Sequence, residues 1–281
     1  SCEYLDEVES VEGFLSAHLR DRSEAVDNYS GQLLKSMEYS LLGKGKRFRP
    51  VLCLQSARAM GADASLALAF AGAIEMVHTY SLIHDDLPCM DDDSERRGEP
   101  TNHIQFGEPL ALLAGDALLT EAFLLITYGY EEKPEVALKL VRLLSLASGS
   151  SGMVGGQAMD MGFGRDINST DRLKSMQQGK TAALISAAIE GAGVIAGRSD
   201  DECSALRKIG YQLGIAFQIK DDLLDVDEAE GEKSYVGFLG VNGAQEELQE
   251  ISQACRNLVQ KVPEVEKVLE QFIQVNLERV K

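Results

Sequence analysis

Helical periodicity is the feature that most constrains how this chain of 281 residues can fold. Within residues 64–84, apolar side chains recur at steps of three and four positions, at Leu66, Phe70, Ala73, Ile74 and Val77. This spacing is typical of one face of an α-helix. Because alanine and leucine fill most of the intervening positions, the helix is apolar on nearly all sides and is predicted to lie in a protein interior.

The same periodicity covers most of the chain, in the segments 109–129, 136–161, 171–196, 201–225 and 244–280. Alternating runs of β-branched residues, which would indicate strands, are nearly absent. The sequence therefore predicts an all-α fold, a large bundle of about ten helices. No Pro-rich linker, low-complexity tract or repeat of 20–50 residues is found, so residues 1–281 are predicted to form a single domain. The predicted loops are 43–47, 87–102, 130–134, 162–170, 197–201 and 226–237.

The charge balance indicates a small anionic ligand. The chain has 27 Lys and Arg residues against 45 Asp and Glu residues, which gives a net charge of −18. Such a surface repels nucleic acid and anionic membranes, so neither is an expected partner. Positive charge is nevertheless concentrated locally, in the segment 44–49 and at Arg96 and Arg97.

The cysteines and the hydropathy predict a cytoplasmic protein. The five cysteines form no CxxC pair and their number is odd, which indicates reduced thiols. The first ten residues, SCEYLDEVES, are acidic and lack the order of a signal peptide. Glu75 and Glu190 interrupt the most apolar segments, so the sequence predicts no stable membrane insertion.

The first aspartate cluster lies in the sequence HTYSLIHDDLPCMDDDSERRGEP. His78 is seven residues before Asp85 and therefore shares a helix face with it. Asp91 would point about 120° away from Asp85 on an unbroken helix. Pro88 is expected to distort or end the helix, which would let Asp91 fold back beside Asp85. Clustered carboxylates suit Mg²⁺ shared with substrate phosphates, although a solvated acidic loop would have the same composition.

The second cluster lies in FQIKDDLLDVDE and has a simpler geometry. Asp221 and Asp225 are one turn apart and share a helix face. Like charges in this arrangement are destabilising unless a cation neutralises them. Two clusters, each at the end of an apolar helix, together favour several Mg²⁺ ions around one diphosphate.

A third segment, GKGKRFRP at 43–50, has the composition of a phosphate-binding loop or of a flexible basic loop before a helix. Its glycines permit close backbone approach, and Lys46 and Arg49 offer donors to phosphate oxygens. The Gly-rich stretch 148–160 is better explained by close packing of helices. Among the other histidines, His18, His84 and His103 are predicted to be structural or surface residues.

These motifs together resemble those of the trans-prenyl diphosphate synthases, in particular the bacterial-type farnesyl and geranylgeranyl diphosphate synthases. SLIHDDLPCMDDD is similar to the first aspartate-rich motif of that family, RRG at 96–98 follows it as in the family, and FQIKDDLLD is similar to the second motif. GKGKRFRP is similar to the GGKRxRP element, with Lys44 in place of its first glycine, and GMVGGQAMD and QGKTAALI match two further segments. The resemblance spans about residues 40 to 240 and implies an isoprenoid synthase-like bundle around a central active-site cavity, assembled as a homodimer.

The resemblance also implies a role for each matching residue. The residues implied to bind the diphosphate of isopentenyl diphosphate are Gly45, Lys46, Arg49, His78 and Arg97. Three Mg²⁺ ions are implied, two of them bound by Asp85 and Asp91 and the third by Asp221 with Asp225. The residues implied to bind the allylic diphosphate are Arg96, Lys180 and Lys233, and those implied to flank the developing cation are Thr181 and Gln218.

Product length in this family depends on bulk four and five residues before the first aspartate, which here are Ser81 and Tyr80. Tyr80 favours a short product, farnesyl diphosphate, over the geranylgeranyl and geranyl alternatives. One departure from the family follows Asp225, where only Lys233-Ser234-Tyr235 remains of a longer loop. Either the loop is truncated or part of it is missing from the sequence.

Three other readings are weighed against this one. A terpene cyclase usually pairs its aspartate-rich motif with an Asn/Ser/Glu triad, whereas this chain has DDLLD at 221–225. An HD-type phosphohydrolase, suggested by His78 and by the adjacent His84 and Asp85, would not need the second cluster. A non-catalytic synthase subunit would be expected to lose one cluster, and both are intact.

Overall fold

The computed structural model of the protein describes residues 4–24, 31–226 and 233–278. The α-helices of these ranges are α1 (Leu5–Glu24), α2 (Gly31–Leu41), α3 (Phe48–Ala59), α4 (Ala64–Asp85), α5 (Asn102–Phe106), α6 (Glu108–Gly129), α7 (Pro134–Ser148), α8 (Met153–Asp160), α9 (Thr170–Gln177), α10 (Ala183–Ile195), α11 (Asp200–Leu224), α12 (Tyr235–Val259) and α13 (Glu266–Glu278). A π-helix (Gln178–Ala182) lies between α9 and α10, and a 3-10 helix (Pro263–Val265) precedes α13. The all-α prediction is confirmed.

Two short antiparallel strands, β1 (Glu95–Arg96) and β2 (Glu99–Pro100), form a hairpin that the periodicity did not predict. Its two-residue turn is Arg97–Gly98, and both residues have positive φ, 56° and 77°. Positive φ at both central positions is the conformation of a type I′ turn, whose twist matches that of the flanking strands. Gly98 adopts it without strain, whereas Arg97 does not.

The chain forms two compact units, residues 1–54 with 64–138 and residues 55–63 with 139–281. Each unit is described separately below. The single-domain organisation and its central cavity remain predictions.

In the first unit, α4 is a largely buried helix, and the acidic residue in its middle, Glu75, is paired with an arginine. Glu75 is 4% exposed and accepts a hydrogen bond from Nη1 of the buried Arg47 at 2.9 Å. Arg47 also donates to Glu12 at 2.9 Å and to the carbonyl of Gly43 at 2.6 Å. The pair thereby holds the segment before α3 against α4, since a buried charge requires partners of this kind.

In the second unit, glycines bring helices into backbone contact around the π-helix. A Cβ built on Gly156 of α8 would lie 2.1 Å from the backbone nitrogen of Lys180. A Cβ on Gly214 of α11 would lie 2.4 Å from the Cβ of Ala182. The predicted packing role of the stretch 148–160 is therefore confirmed. The predicted single helix 136–161 is wrong, because the chain leaves the helix at 149–152 between α7 and α8.

Two helices, α4 and α6, are long and apolar enough to cross a membrane by length and composition alone. The expectation that Glu75 would keep α4 from being apolar enough was wrong. The most apolar stretch of 18 residues in α4 has a high mean hydropathy although it contains this acid. In α4, 72% of that stretch is buried inside the protein.

The described cysteines, Cys53, Cys89, Cys203 and Cys255, are all free. The reduced state of their thiols remains a prediction. Cys2 lies outside the described residues.

Candidate active site

The end of α4 brings Asp85 and Asp91 together. The helix ends at Asp85, and the N–H of Leu87 donates to the carbonyl of His84 at 3.2 Å. Beyond Pro88 the chain reverses, and the N–H of Asp91 donates to the carbonyl of Asp85 at 2.9 Å. The predicted return of Asp91 is confirmed, because proline cannot continue the helix.

Asp86, the neighbour of Asp85, has a different role. Its carboxylate is 3% exposed and binds Arg96 through two nitrogens, with Nε at 2.9 Å and Nη2 at 2.5 Å from Oδ1. A bidentate pair of this kind fixes the guanidinium in one orientation. The contact of Asp86 with Arg96 was missed, because the two residues are ten positions apart in sequence.

Arginines and one histidine form a cationic cluster in the first unit. The pKa of His78 is well below its ordinary value, first because its half-buried ring is desolvated and then because Arg49, Arg97, Arg96 and Arg47 oppose a further positive charge. Burial also lowers the pKa of Arg49, and the Nε of Arg49 is buried with no hydrogen-bond partner among the described residues. Such a cluster, with one buried donor unsatisfied, is suited to a multiply charged anion.

In the loop 43–47, Gly45 lies next to the guanidinium of Arg97. A Cβ on Gly45 would lie 2.6 Å from Nη1 of Arg97, so only glycine leaves room for that guanidinium. Nη1 of Arg97 donates to the carbonyl of Lys44 at 2.5 Å. Lys46 is exposed on the same loop, and Lys44 forms an ion pair with Glu99 at 2.6 Å. The loop and the hairpin are thus joined by two contacts.

In the second unit, a cavity of about 270 Å³ contains all the site residues predicted there. The predicted residues that line it are Lys180, Thr181, Gln218, Asp221, Asp225 and Lys233. Lys180 binds the carboxylate of Asp160, and the hydroxyl of Thr181 donates to Oε1 of Gln218 at 3.3 Å. Asp160 was missed because it is 20 residues from Lys180 in sequence.

The π-helix explains how Lys180 and Thr181 reach this cavity. Both belong to the single π-helical turn Gln178–Ala182 between α9 and α10. π-helices are rare, and they occur frequently at functional sites because the extra residue redirects neighbouring side chains.

The second aspartate cluster is held at the end of α11. The N–H of Asp225 donates to the carbonyl of Asp221 at 3.1 Å, so the two residues are stacked one turn apart, as predicted. Between them, Asp222 accepts hydrogen bonds from Nε2 of Gln218 at 3.4 Å and from the N–H of Tyr235 at 2.8 Å. Burial raises the pKa of Asp222, and these two hydrogen bonds oppose the shift.

The carboxylates fit a metal that is shared with a substrate. No group of three His, Cys, Asp or Glu side chains among the described residues is placed to bind a metal by itself. Mg²⁺ usually retains water and binds through one or two carboxylates together with substrate phosphates. The pairs Asp85–Asp91 and Asp221–Asp225 offer two carboxylates each, which is the donor set such an ion requires.

The predicted product-length residues lie on α4. Tyr80 is 6% exposed, and its ring makes an edge-to-face contact with His84 at 5.7 Å between centroids. Ser81 donates its hydroxyl to the carbonyl of His78 at 2.9 Å, which directs it back to its own helix.

The remaining histidines have structural contacts, as predicted. His18 pairs with Glu121 at 3.1 Å, and His103 is 3.1 Å from the hydroxyl of Thr101. Nε2 of His84 is 3.0 Å from the carbonyl oxygen of Leu112. His84 therefore contacts α6.

Comparison with known proteins decides the family. The sequence profile described as polyprenyl synthetase matches residues 30–271. The chain belongs to the polyprenyl synthetase family. A farnesyl diphosphate synthase of Geobacillus stearothermophilus is 42% identical over 261 residues, which cover 85% of this chain and 88% of that protein. A chloroplastic geranylgeranyl pyrophosphate synthase of Arabidopsis thaliana is 44% identical over 200 residues, which cover 69% of this chain and 56% of that protein.

Solved structures agree with this membership. The structure described as an FPP/GFPP synthase from Zymomonas mobilis has a TM-score of 0.84 and 31% identity, and the match covers 95% of this chain and 98% of that one. As a polyprenyl synthetase, the protein has the predicted isoprenoid synthase-like fold and is a trans-prenyltransferase, as the sequence predicted.

Proposed function

We propose that this polyprenyl synthetase condenses isopentenyl diphosphate with a short allylic diphosphate, dimethylallyl or geranyl, to give farnesyl diphosphate. The observation that carries the proposal lies on α4. One helix end presents Asp85 and Asp91, whose backbones are joined by a hydrogen bond. Two turns earlier, the neutral His78 lies in a cluster of arginines, and the buried Nε of Arg49 has no hydrogen-bond partner among the described residues. A carboxylate pair for a shared cation and a separate anion site are what two diphosphate substrates require.

In the first step, the C1–O bond of the allylic diphosphate breaks, and both electrons stay on the leaving oxygen. Arg96 and Lys180 stabilise the negative charge that develops there, and Lys233 adds to them. Asp86 holds the side chain of Arg96 in place before the substrate binds, and Asp160 does the same for Lys180. These side chains therefore need little reorganisation during the reaction.

Mg²⁺, when bound, would act as a Lewis acid on the diphosphate oxygens. The residues that would bind it are Asp85 with Asp91 in the first unit and Asp221 with Asp225 in the second. We propose three ions per site from the family resemblance.

In the second step, the double bond of isopentenyl diphosphate attacks the allylic cation and forms the new C–C bond. Oγ1 of Thr181 and Oε1 of Gln218 stabilise the positive charge through their oxygen dipoles. The adjacent carbon then loses a proton, which restores a double bond. The released diphosphate is the proposed acceptor, since the residues placed at this site include no obvious general base.

Farnesyl diphosphate is the favoured product because Tyr80 is bulky, buried and in edge-to-face contact with His84. A geranylgeranyl product is the second candidate, and it is supported by the relative from Arabidopsis thaliana. We also propose a homodimer, by family resemblance and because dimers are the commonest assembly, and a cytoplasmic location from the unpaired thiols.

The test is to incubate the protein with Mg²⁺, isopentenyl diphosphate and either dimethylallyl or geranyl diphosphate, and to separate the products by chromatography. We expect a C15 diphosphate. Release of phosphate without chain extension would overturn the proposal in favour of hydrolysis, and an absence of turnover would favour a non-catalytic subunit.

A matched pair of variants tests the site itself. Asp91→Asn should lower kcat by at least about 100-fold, because it removes one of the carboxylates that would bind the Mg²⁺ stabilising the negative charge on the leaving diphosphate. Asp92→Asn changes the next residue, which is exposed and has no assigned role, and should stay within about two-fold of the unmodified protein. Equal losses in both variants would contradict the assignment of Asp91.

A further inference from the structure

Asp222 belongs to the second aspartate cluster, yet its carboxylate is engaged by the protein on both oxygens. Oδ1 accepts a hydrogen bond from Nε2 of Gln218 at 3.4 Å, and Oδ2 accepts one from the N–H of Tyr235 at 2.8 Å. The shorter contact joins the end of α11 to the start of α12, 13 residues away in sequence. Asp222 therefore lies between two proposed metal ligands in sequence, but its own carboxylate attaches the start of α12 to the end of α11.

The start of α12 depends on this contact. The first N–H groups of a helix have no partner within the helix and require acceptors from elsewhere. Ser234, the N-cap residue, accepts from the N–H of Gly237 at 2.9 Å, and Asp222 accepts from Tyr235. A carboxylate is a favourable acceptor here because the helix N-terminus has partial positive charge.

Lys233 immediately precedes this anchored turn. Its neighbours Ser234 and Tyr235 are buried, and Lys233 itself lines the same cavity as Asp221 and Lys180. The hydrogen bond to Tyr235 therefore fixes the backbone two residues from the lysine whose ammonium group is proposed to bind the allylic diphosphate.

We propose that Asp222 is a positioning residue, which holds the start of α12 and thereby places Lys233 at the allylic diphosphate, and that it is not a metal ligand. The expected effect on the KM for the allylic diphosphate rests on the proposed function. The anchoring of Tyr235 by Asp222 does not depend on that function.

The kinetic test compares Asp222→Ala, Lys233→Ala and the double variant. Asp222→Ala should raise the KM for the allylic diphosphate about ten-fold, the factor that corresponds to the loss of one hydrogen bond to a charged group. The KM for isopentenyl diphosphate and the Mg²⁺ concentration for half-maximal rate should stay within about two-fold of the unmodified values. The double variant should resemble Lys233→Ala alone, because both changes act through one lysine.

Asp221→Ala is the matched comparison, since it removes a proposed metal ligand one residue away. It should raise the Mg²⁺ requirement, whereas Asp222→Ala should not. A similar rise in both variants would overturn the inference, and so would additive effects of Asp222→Ala and Lys233→Ala. A fall in kcat alone would assign the effect to Gln218 and would also overturn it.

Hydrogen exchange tests the structural part without any turnover. In Asp222→Ala the amide of Tyr235 should exchange at least about ten times faster than in the unmodified protein, and Asp221→Ala should leave it slow. Unchanged exchange at Tyr235 would refute the anchoring, whatever the enzyme does. If Asp222→Ala does not fold, Asp222→Asn replaces it, because its amide oxygen can still accept a weaker hydrogen bond from Tyr235. The exchange at Tyr235 should then rise by less than ten-fold, and the KM for the allylic diphosphate should rise by less than in Lys233→Ala. A larger change in KM than in Lys233→Ala would refute the inference.

Discussion

Substitution of Gly156 by alanine tests whether the contact between α8 and the π-helix sets the position of Lys180, the proposed ligand of the allylic diphosphate. The added Cβ would meet three backbone atoms, the nitrogen of Lys180 at 2.1 Å, the carbonyl carbon of Gly179 at 2.7 Å and the Cα of Lys180 at 2.7 Å. No side chain can rotate away to relieve these contacts. The shortest of them has to lengthen by about 1.3 Å to reach an ordinary separation of 3.4 Å.

The size of the effect follows from that displacement. Overpacking of a filled interior costs about 1–3 kcal/mol, and backbone obstacles place Gly156→Ala at the upper end, near 3 kcal/mol. A shift of about 1 Å in a group that acts on the reacting atoms costs on the order of 100-fold in rate. We therefore expect the free energy of unfolding to fall by about 3 kcal/mol and kcat/KM to fall by about 100-fold.

Urea unfolding gives the first quantity and steady-state kinetics gives the second. Gly13→Ala on α1 is the matched control, because nothing lies within 4 Å of its added Cβ. It should stabilise the protein by up to about 1 kcal/mol through helix propensity and leave the kinetics unchanged. A Gly156→Ala protein with unfolding free energy within about 0.5 kcal/mol of the original and rates within about three-fold would refute the reasoning.

Three further predictions concern α4. Glu75→Gln removes the buried partner of Arg47 and should cost about 3 kcal/mol in urea unfolding; a cost below about 1 kcal/mol would contradict a stabilising pair. His78 has a lowered pKa in the folded protein, so unfolding takes up a proton and the free energy of unfolding should fall as pH drops below about 6.5. His78→Gln should reduce that slope, and equal slopes would be evidence against the shift. Tyr80→Ala should extend the product beyond C15, as judged by chromatography, and an unchanged C15 product would exclude Tyr80 as the limit.

The helices and the aspartate clusters were predictable because their determinants are local. A repeat of 3.6 residues identifies α4 and α11 from neighbouring positions alone. The stacking of Asp221 and Asp225 follows from helix geometry, and the return of Asp91 follows from Pro88.

The supporting carboxylates were not predictable, because their partners are distant in sequence. Asp86 binds Arg96, Asp160 binds Lys180 and Asp222 binds the N–H of Tyr235, and no spacing rule connects these pairs. In an acidic chain, the sequence does not distinguish any of these three aspartates from a solvated surface residue. The hairpin 95–100 was missed for a related reason, since two-residue strands have no measurable period.

The turn at Arg97 has a consequence for how this protein can change over time. A non-glycine residue in left-handed backbone conformation costs roughly 1–2 kcal/mol, which glycine or asparagine would avoid in large part. The chain nevertheless has an arginine there, with its guanidinium over Gly45. The residue at position 97 therefore affects two properties in opposite directions, because arginine lowers the folding stability and provides a guanidinium for the proposed ligand. Selection for thermal tolerance alone would favour replacement of this arginine, whereas selection for binding at the proposed anion site would retain it.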